Sequence, residues 1–152
     1  MKGVVAAGHP LTARAGAAVL HAGGNAVDAA VAAVLMSFAA ESPLTGPGAG
    51  GFMLVHAADG GSHLLDFFVA APGRELADPR PVPLLPVEVP FAEDAVQLFN
   101  VGPSSCGAYG TAAGLAQALE RFGTLALGDL TDGPARAARE GVEVNPIQEF
   151  VL

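Results

Sequence analysis

Gly23-Gly24-Asn25-Ala26-Val27-Asp28-Ala29-Ala30 opens a stretch that stays apolar as far as Ala40, with Ser37 the one polar residue after Asp28. A helix that is apolar all round belongs in the interior, so this chain must build other layers around it. Gly23-Gly24 ends a preceding helix. Asn25 caps the new one, and Asp28 in its first turn reaches back to free amides at the positive end of the helix dipole. Ser42-Pro43 stops the helix, because a residue before proline is disfavoured in the α region. The glycine-dense loop Gly46-Pro47-Gly48-Ala49-Gly50-Gly51 then enters a strand at Phe52. Helix, loop and strand in that order predict a buried element of a layered α/β protein.

The remaining elements follow from punctuation and period. Val4 to Ala7 read as a short buried strand. Pro10 starts a helix to about Ala22, with Leu11, Ala15, Ala18 and Val19 on one face. Phe52–His56 and Ser62–Val69 read as strands joined by the hairpin signal Asp59-Gly60-Gly61. Residues 72–90 carry Pro72, Pro79, Pro81, Pro83, Pro86 and Pro90, which predicts an extended connection running over the surface. Gln97–Val101 is a strand candidate after a solvated turn at Glu93-Asp94. Thr111–Phe122 and Leu130–Glu140 are helices stopped by Gly123 and Gly141. The expected organisation is one partial domain over residues 1–152.

The 152 residues are 51% apolar and only 14% charged, with 20 glycines. So little polar surface suggests that a partner chain or a further part of the protein covers some of it; the alternative is an alanine-rich domain inflated by small residues. A net charge of -8 with no basic cluster argues against nucleic acid or anionic lipid as a partner. Residues 26–40 are too short to span a bilayer and include Asp28, so no membrane span is expected. No signal peptide is evident, and the expected compartment is the cytoplasm. The single cysteine, Cys106, rules out an internal disulfide.

Several constellations can be weighed for chemistry. Gly46, Gly48 and Gly51 have dinucleotide-fingerprint spacing, but a helix precedes them and a strand follows, the reverse of what a pyrophosphate needs. Turns at positive φ and close backbone approach are the preferred reading. His9, His21, His56 and His63 have no metal-ligand spacing, so neither a metal nor a cofactor is expected. His9-Pro10 reads as a helix start. Ser104-Ser105-Cys106-Gly107 can present a nucleophile if a base lies within reach, which leaves a self-contained Cys106 hydrolase as one candidate.

The chain resembles the gamma-glutamyltransferase (gamma-glutamyl transpeptidase) family. His9-Pro10 with Ala15-Gly16 and the Gly23 to Ala30 block are similar to its opening signature. Glu41-Ser42-Pro43 and Gly46-x-Gly48-x-Gly50-Gly51-Phe52 resemble its glycine loop, with Ser42 inserted and Ala49 in place of a glycine. Leu65-Asp66 through Ala71-Pro72, Gly107-x-x-Gly110-x-x-x-Gly114-Leu115, Arg121-Phe122-Gly123 and Ala138-Arg139-Glu140-Gly141 continue the likeness. The resemblance implies an α+β fold, an N-terminal nucleophile hydrolase-like αββα sandwich of which only the N-terminal portion is present. It also implies a self-cleaving precursor. The threonine that begins its small subunit attacks a γ-glutamyl amide, with its own α-amine as base.

Two departures qualify that expectation. Thr12, Thr45, Thr111, Thr124 and Thr131 all match segments upstream of the family's cleavage point, so no catalytic residue is expected in this chain. The nucleophile would come from a small-subunit partner, and the isolated chain is expected to be inactive. The family also places a carboxylate-gripping arginine two residues after the position of Asp66, where this chain has Phe68. A phenyl ring offers none of the charge-assisted bonds of a guanidinium. The substrate is then another amide, or a γ-glutamyl amide held weakly, unless Arg74 compensates; otherwise Phe68 is an ordinary core residue of an alternating strand. A non-catalytic paralog or assembly module of the same fold is the other reading.

Overall fold

The computed structural model describes every residue except Met1, Lys2, Arg74, Pro79, Pro81 and Leu152, and of Ile147 and Val151 the backbone alone. The chain forms two compact units: Val69–Tyr109 is one, and the segments Met1–Phe68 and Gly110–Leu152 together make the other.

The larger unit is built around the apolar helix. Helix α1 (Pro10–His21) precedes α2 (Ala26–Ala40), and α2 packs on α1, on α3 (Thr111–Phe122) and on α4 (Asp132–Glu140). Val27, Val31, Val55, Leu65, Leu115, Leu119 and Leu130 form the core. His9 caps α1 as expected, with Nδ1 accepting the Leu11 amide at 3.2 Å. The buried side of α1 is the Thr12–Gly16 stripe, while Ala18 is exposed. Gly16 comes so close to α2 that an added Cβ would lie 2.8 Å from the Ala29 carbonyl oxygen. At the end of α1, Gly23 takes φ +100, a left-handed value that glycine alone adopts without strain.

Strands β1 (Phe52–His56) and β2 (Ser62–Asp66) pair antiparallel, with Phe52 opposite Asp66 and His56 opposite Ser62. Gly60, at φ +88, makes the turn. Alternation sends Val55 and Leu65 into the core and leaves Phe52, Leu54, Leu64 and Phe68 exposed. The alternative that Phe68 is a core residue of a strand running to Val69 is therefore corrected: β2 stops at Asp66, and Phe68 lies on the outer face at 56% exposure. The strand expected at Val4–Ala7 is not formed either. Among the described residues nothing pairs with it, and Val4 is 95% exposed. An extended segment without a ladder partner is not a strand.

Gly110 and Gly114 let α3 lie against Phe67, and a Cβ at Gly114 would run into the Phe67 ring. Helix propensity favours Gly114→Ala by about 1 kcal/mol. Overpacking opposes it by about 1–3 kcal/mol, and here the obstacle is a ring beside a paired strand end. Gly114→Ala is expected to lower the urea midpoint; a raised midpoint would show that Phe67 moves aside freely.

Helix α5 (Pro146–Val151) has no counterpart in the sequence reading, although its start is written plainly in Asn145-Pro146-Ile147-Gln148. The Asn145 side chain accepts the Gln148 amide at 2.9 Å and Gln148 Oε1 accepts the Asn145 amide at 3.0 Å, a reciprocal capping box. Gln148 Nε2 then donates to the carbonyl of Ala40 at 2.6 Å and ties α5 to the end of α2.

In the smaller unit, β3 (Leu85–Ala92) and β4 (Ala95–Val101) form an antiparallel hairpin, turning at the expected Glu93-Asp94. Among its described residues the proline-rich span is almost wholly exposed as expected, but it turns at Gly73, where the Leu76 amide donates to the Gly73 carbonyl at 3.0 Å, and its last part is a strand rather than a plain connection; Pro79 and Pro81 lie outside the described residues. Pro86 and Pro90 are four residues apart, so their missing donors face the same side, and a two-stranded ribbon has an open edge that needs none. Ala70 and Ala108 form an isolated antiparallel bridge near the ends of the unit.

Candidate functional site

The first candidate feature is the buried carboxylate of Asp28, wholly inaccessible to solvent. Asn25 Oδ1 accepts the amides of Val27 and Asp28 at 2.8 and 3.0 Å, and Asp28 Oδ2 accepts the Asn25 amide at 2.8 Å. Asp28 Oδ2 also takes the Thr124 hydroxyl at 2.6 Å, while Oδ1 takes the amides of Thr124 and Leu125 at 2.8 and 3.2 Å. Asn25 Nδ2 donates to the Phe122 carbonyl at 2.7 Å. Burial works to raise the carboxyl pKa, but the Thr124 hydroxyl and the amides of Asn25, Thr124 and Leu125 outweigh it, and the group sits below its ordinary value. Acceptor capacity is filled from within the chain, so Asp28 locks the start of α2 to the segment that follows α3, while Asn25 holds the last carbonyl of α3 itself.

The glycine loop is pinned through its second half. Gly51 and Phe67 exchange two backbone bonds, of 3.3 and 3.0 Å, and the Ala49 carbonyl accepts both the amide and the hydroxyl of Thr111, at 3.2 and 2.6 Å. The expectation of positive-φ turns here is corrected: Gly46, Gly48 and Gly51 all lie outside that region. At the edge of this loop the Phe68 amide donates to Asp66 Oδ1 at 3.0 Å. The Phe68 ring stacks on Phe52, with centroids 5.3 Å apart and planes 9° apart. Sequence reading singled out Phe68 but not Phe52; the signal was the strand parity, which places residues 52, 66 and 68 on one face. Arg74, the expected compensating cation, lies outside the described residues.

Threonine hydroxyls are largely engaged in holding the fold. Thr12 donates to Glu41 Oε2 at 2.7 Å, Thr111 to Ala49, Thr124 to Asp28 and Thr131 to the Gly128 carbonyl at 2.8 Å. Cys106 is exposed just after a 3-10 turn, in a unit whose sequence contains no histidine. A groove of about 650 Å³ lies between the start of α2 and β1. Its polar side chains are already paired: Asn25 as above, and His56 Nδ1 with Ser62 Oγ at 2.9 Å.

Comparison with known proteins places this arrangement in context. The family profile described as Gamma-glutamyltranspeptidase matches residues 12–152. An acylase ACY 1 proenzyme of Pseudomonas sp. (strain V22) is 36% identical over 146 residues, 95% of this chain and 26% of that protein. The glutathione hydrolase proenzyme of Bacillus subtilis (strain 168) is 33% identical over 153 residues, 95% of this chain and 24% of that protein. A gamma-glutamyltranspeptidase from Pseudomonas nitroreducens complexed with L-DON superposes with a TM-score of 0.78 at 32% identity, over 97% of this chain and 42% of that one. The chain thus spans about a quarter of the length of the curated relatives it matches. It belongs to the gamma-glutamyltranspeptidase family.

Proposed function

We propose that residues 1–152 are part of the large subunit of an acyltransferase or amidohydrolase that opens an acyl amide through an N-terminal threonine carried on another segment. The observation that carries this reading is the family match along residues 12–152. The chain's own part is scaffold and substrate wall, which fits four of its five threonine hydroxyls being engaged in hydrogen bonds inside the fold. The β1–β2 hairpin, with one face on the helices and the other bare, is consistent with one layer of an αββα sandwich. Relatives named acylase are 36% identical and those named glutathione hydrolase about 33%, so the acyl group need not be γ-glutamyl.

In this reading Phe68 takes the place of a carboxylate-gripping arginine, and γ-glutamyl amides bind weakly. The test is an assay of the whole proenzyme against γ-glutamyl and other acyl p-nitroanilides, beside the isolated chain. Turnover by the proenzyme alone is expected; turnover by residues 1–152 alone would overturn the division of labour. The thiol alternative is checked in the same assay. Cys106→Ala in the proenzyme is expected to leave kcat unchanged, and its abolition of turnover would move the nucleophile into this chain.

A further inference from the structure

Residues 4–7 are Val-Val-Ala-Ala, a run of strand composition that makes no backbone hydrogen bond to any described residue. They are nevertheless laid out as a strand is. Gly3 lies against Leu20 and Val5 against Gly16, two residues apart on the α1 side, while Val4 between them stands clear at 95% exposure. A groove of about 580 Å³ runs along this segment, lined by residues 3–7 in unbroken succession and by α2. The groove of about 650 Å³ beside β1 is lined by residues 53–58, again in unbroken succession. A sheet face shows alternate residues; a run without gaps shows the edge, where backbone donors and acceptors lie. Ala26 and Ala30, exposed and one turn apart on α2, line both grooves. The two grooves are therefore halves of one trough, with α2 as its floor and an open backbone edge as each wall.

The chemistry of the trough says what fits it. Its polar side chains are engaged inside the chain: Thr12 with Glu41, Ser37 with the Val34 carbonyl, Asn25 in its cap and His56 with Ser62. Among the described residues no Lys, Arg, Asp or Glu lines either groove. Edges meant to face water are blunted by charge or proline, yet residues 3–7 and 52–58 contain no Lys, Asp, Glu or Pro. The occupant must be apolar and must bring backbone hydrogen-bonding groups to both walls, as a β-strand does. A second copy meets an edge through its own like edge and leaves the opposite wall open. The chain matches only 26% and 24% of the length of two relatives, so a protein of their length has ample further polypeptide to supply strands.

We propose that β-strands from the polypeptide outside residues 1–152 fill this trough. They pair with residues 4–7 on one side and with the free edge of β1 on the other, so that α2 underlies one continuous sheet. The inference takes from the family assignment only that further polypeptide exists; it does not depend on the acyl-transfer reading, and its test contains no turnover.

The test follows amide hydrogen exchange residue by residue in the whole proenzyme. Alternate amides of residues 4–7 are expected to exchange on the order of a thousandfold more slowly than in an unstructured peptide. Every amide of β1 is expected to be protected, rather than only the alternate ones that β2 accounts for. Ala30→Arg, with Tm measured, tests the floor. On an exposed helix face arginine replaces alanine at little cost, whereas beneath a sheet it buries a charge and Tm falls by several degrees. Free exchange throughout residues 4–7 overturns the proposal, and so does an unchanged Tm in Ala30→Arg. Protection that rises with protein concentration, beside a dimer in light scattering, overturns it in favour of a second copy. Protection that appears only with an added acyl anilide overturns it in favour of a ligand.

Discussion

Phe68→Arg in the whole proenzyme is expected to raise kcat/KM for a γ-glutamyl anilide by on the order of a hundredfold, with most of the change in KM. A guanidinium offers two parallel bonds to a carboxylate, each contributing roughly 1.5–3 kcal/mol. Partial exposure of the position reduces that gain, which is why the figure stays near the lower end. Asp66 is suited to orient the new side chain, being two residues away with its side chain already bonded to the residue 68 amide, and with its strand partner Phe52 stacked on position 68. The same substitution removes a ring from the stack, so turnover of apolar acyl anilides is expected to fall as glutamyl turnover rises. Opposite movements of the two substrates identify a specificity position. A parallel loss of both would reduce Phe68 to a packing residue.

Asp28→Ala is expected to destabilise the protein by on the order of 4 kcal/mol. The substitution strands the Asn25, Thr124 and Leu125 amides and the Thr124 hydroxyl around a buried void, and it removes the carboxylate's links from α2 to the segment that follows α3. For a chain of this size that corresponds to roughly 10 °C in Tm, read by thermal melting. A shift of only a degree or two would mean that water replaces the carboxylate without loss. The carboxyl is held below its ordinary value of 3.8, so the stability it contributes is full above that value. That stability is lost as pH falls from there through the lower folded pKa. The wild type is therefore expected to lose stability on acidification below about pH 4, and the slope of that loss is expected to flatten in Asp28→Asn. An identical acid limb in the two proteins would contradict the assignment.

Local chemistry made much of the larger unit legible. The Asn25–Asp28 box, the Asp59-Gly60-Gly61 turn and the Gly123 stop act within a few residues of themselves, and each appears where the residue types demand it. What stayed hidden depends on distant partners. Asp28 lies 96 residues from Thr124, and no periodicity announces that bond. Val4–Ala7 has strand composition but finds no ladder among the described residues, whereas Leu85–Ala92 becomes a strand in spite of two prolines because β4 offers it one side only. On α1, helical spacing suggested a face through Ala18, but the close approach at Gly16 rotates the contact toward Thr12. At the candidate site, Phe68 was visible through its position in a family pattern. Its partner Phe52 emerges only once the register of β1 on β2 is known.

The central claim is that this chain provides framework and binding wall while the bond-breaking threonine belongs to another segment. The most direct measurement is to trap the proenzyme with an electrophilic acyl analogue and locate the adduct by mass spectrometry of its peptides. The account predicts a single modified threonine outside residues 1–152, at a newly exposed N-terminus. An adduct on Thr12, Thr45, Thr111, Thr124, Thr131 or Cys106 would contradict it.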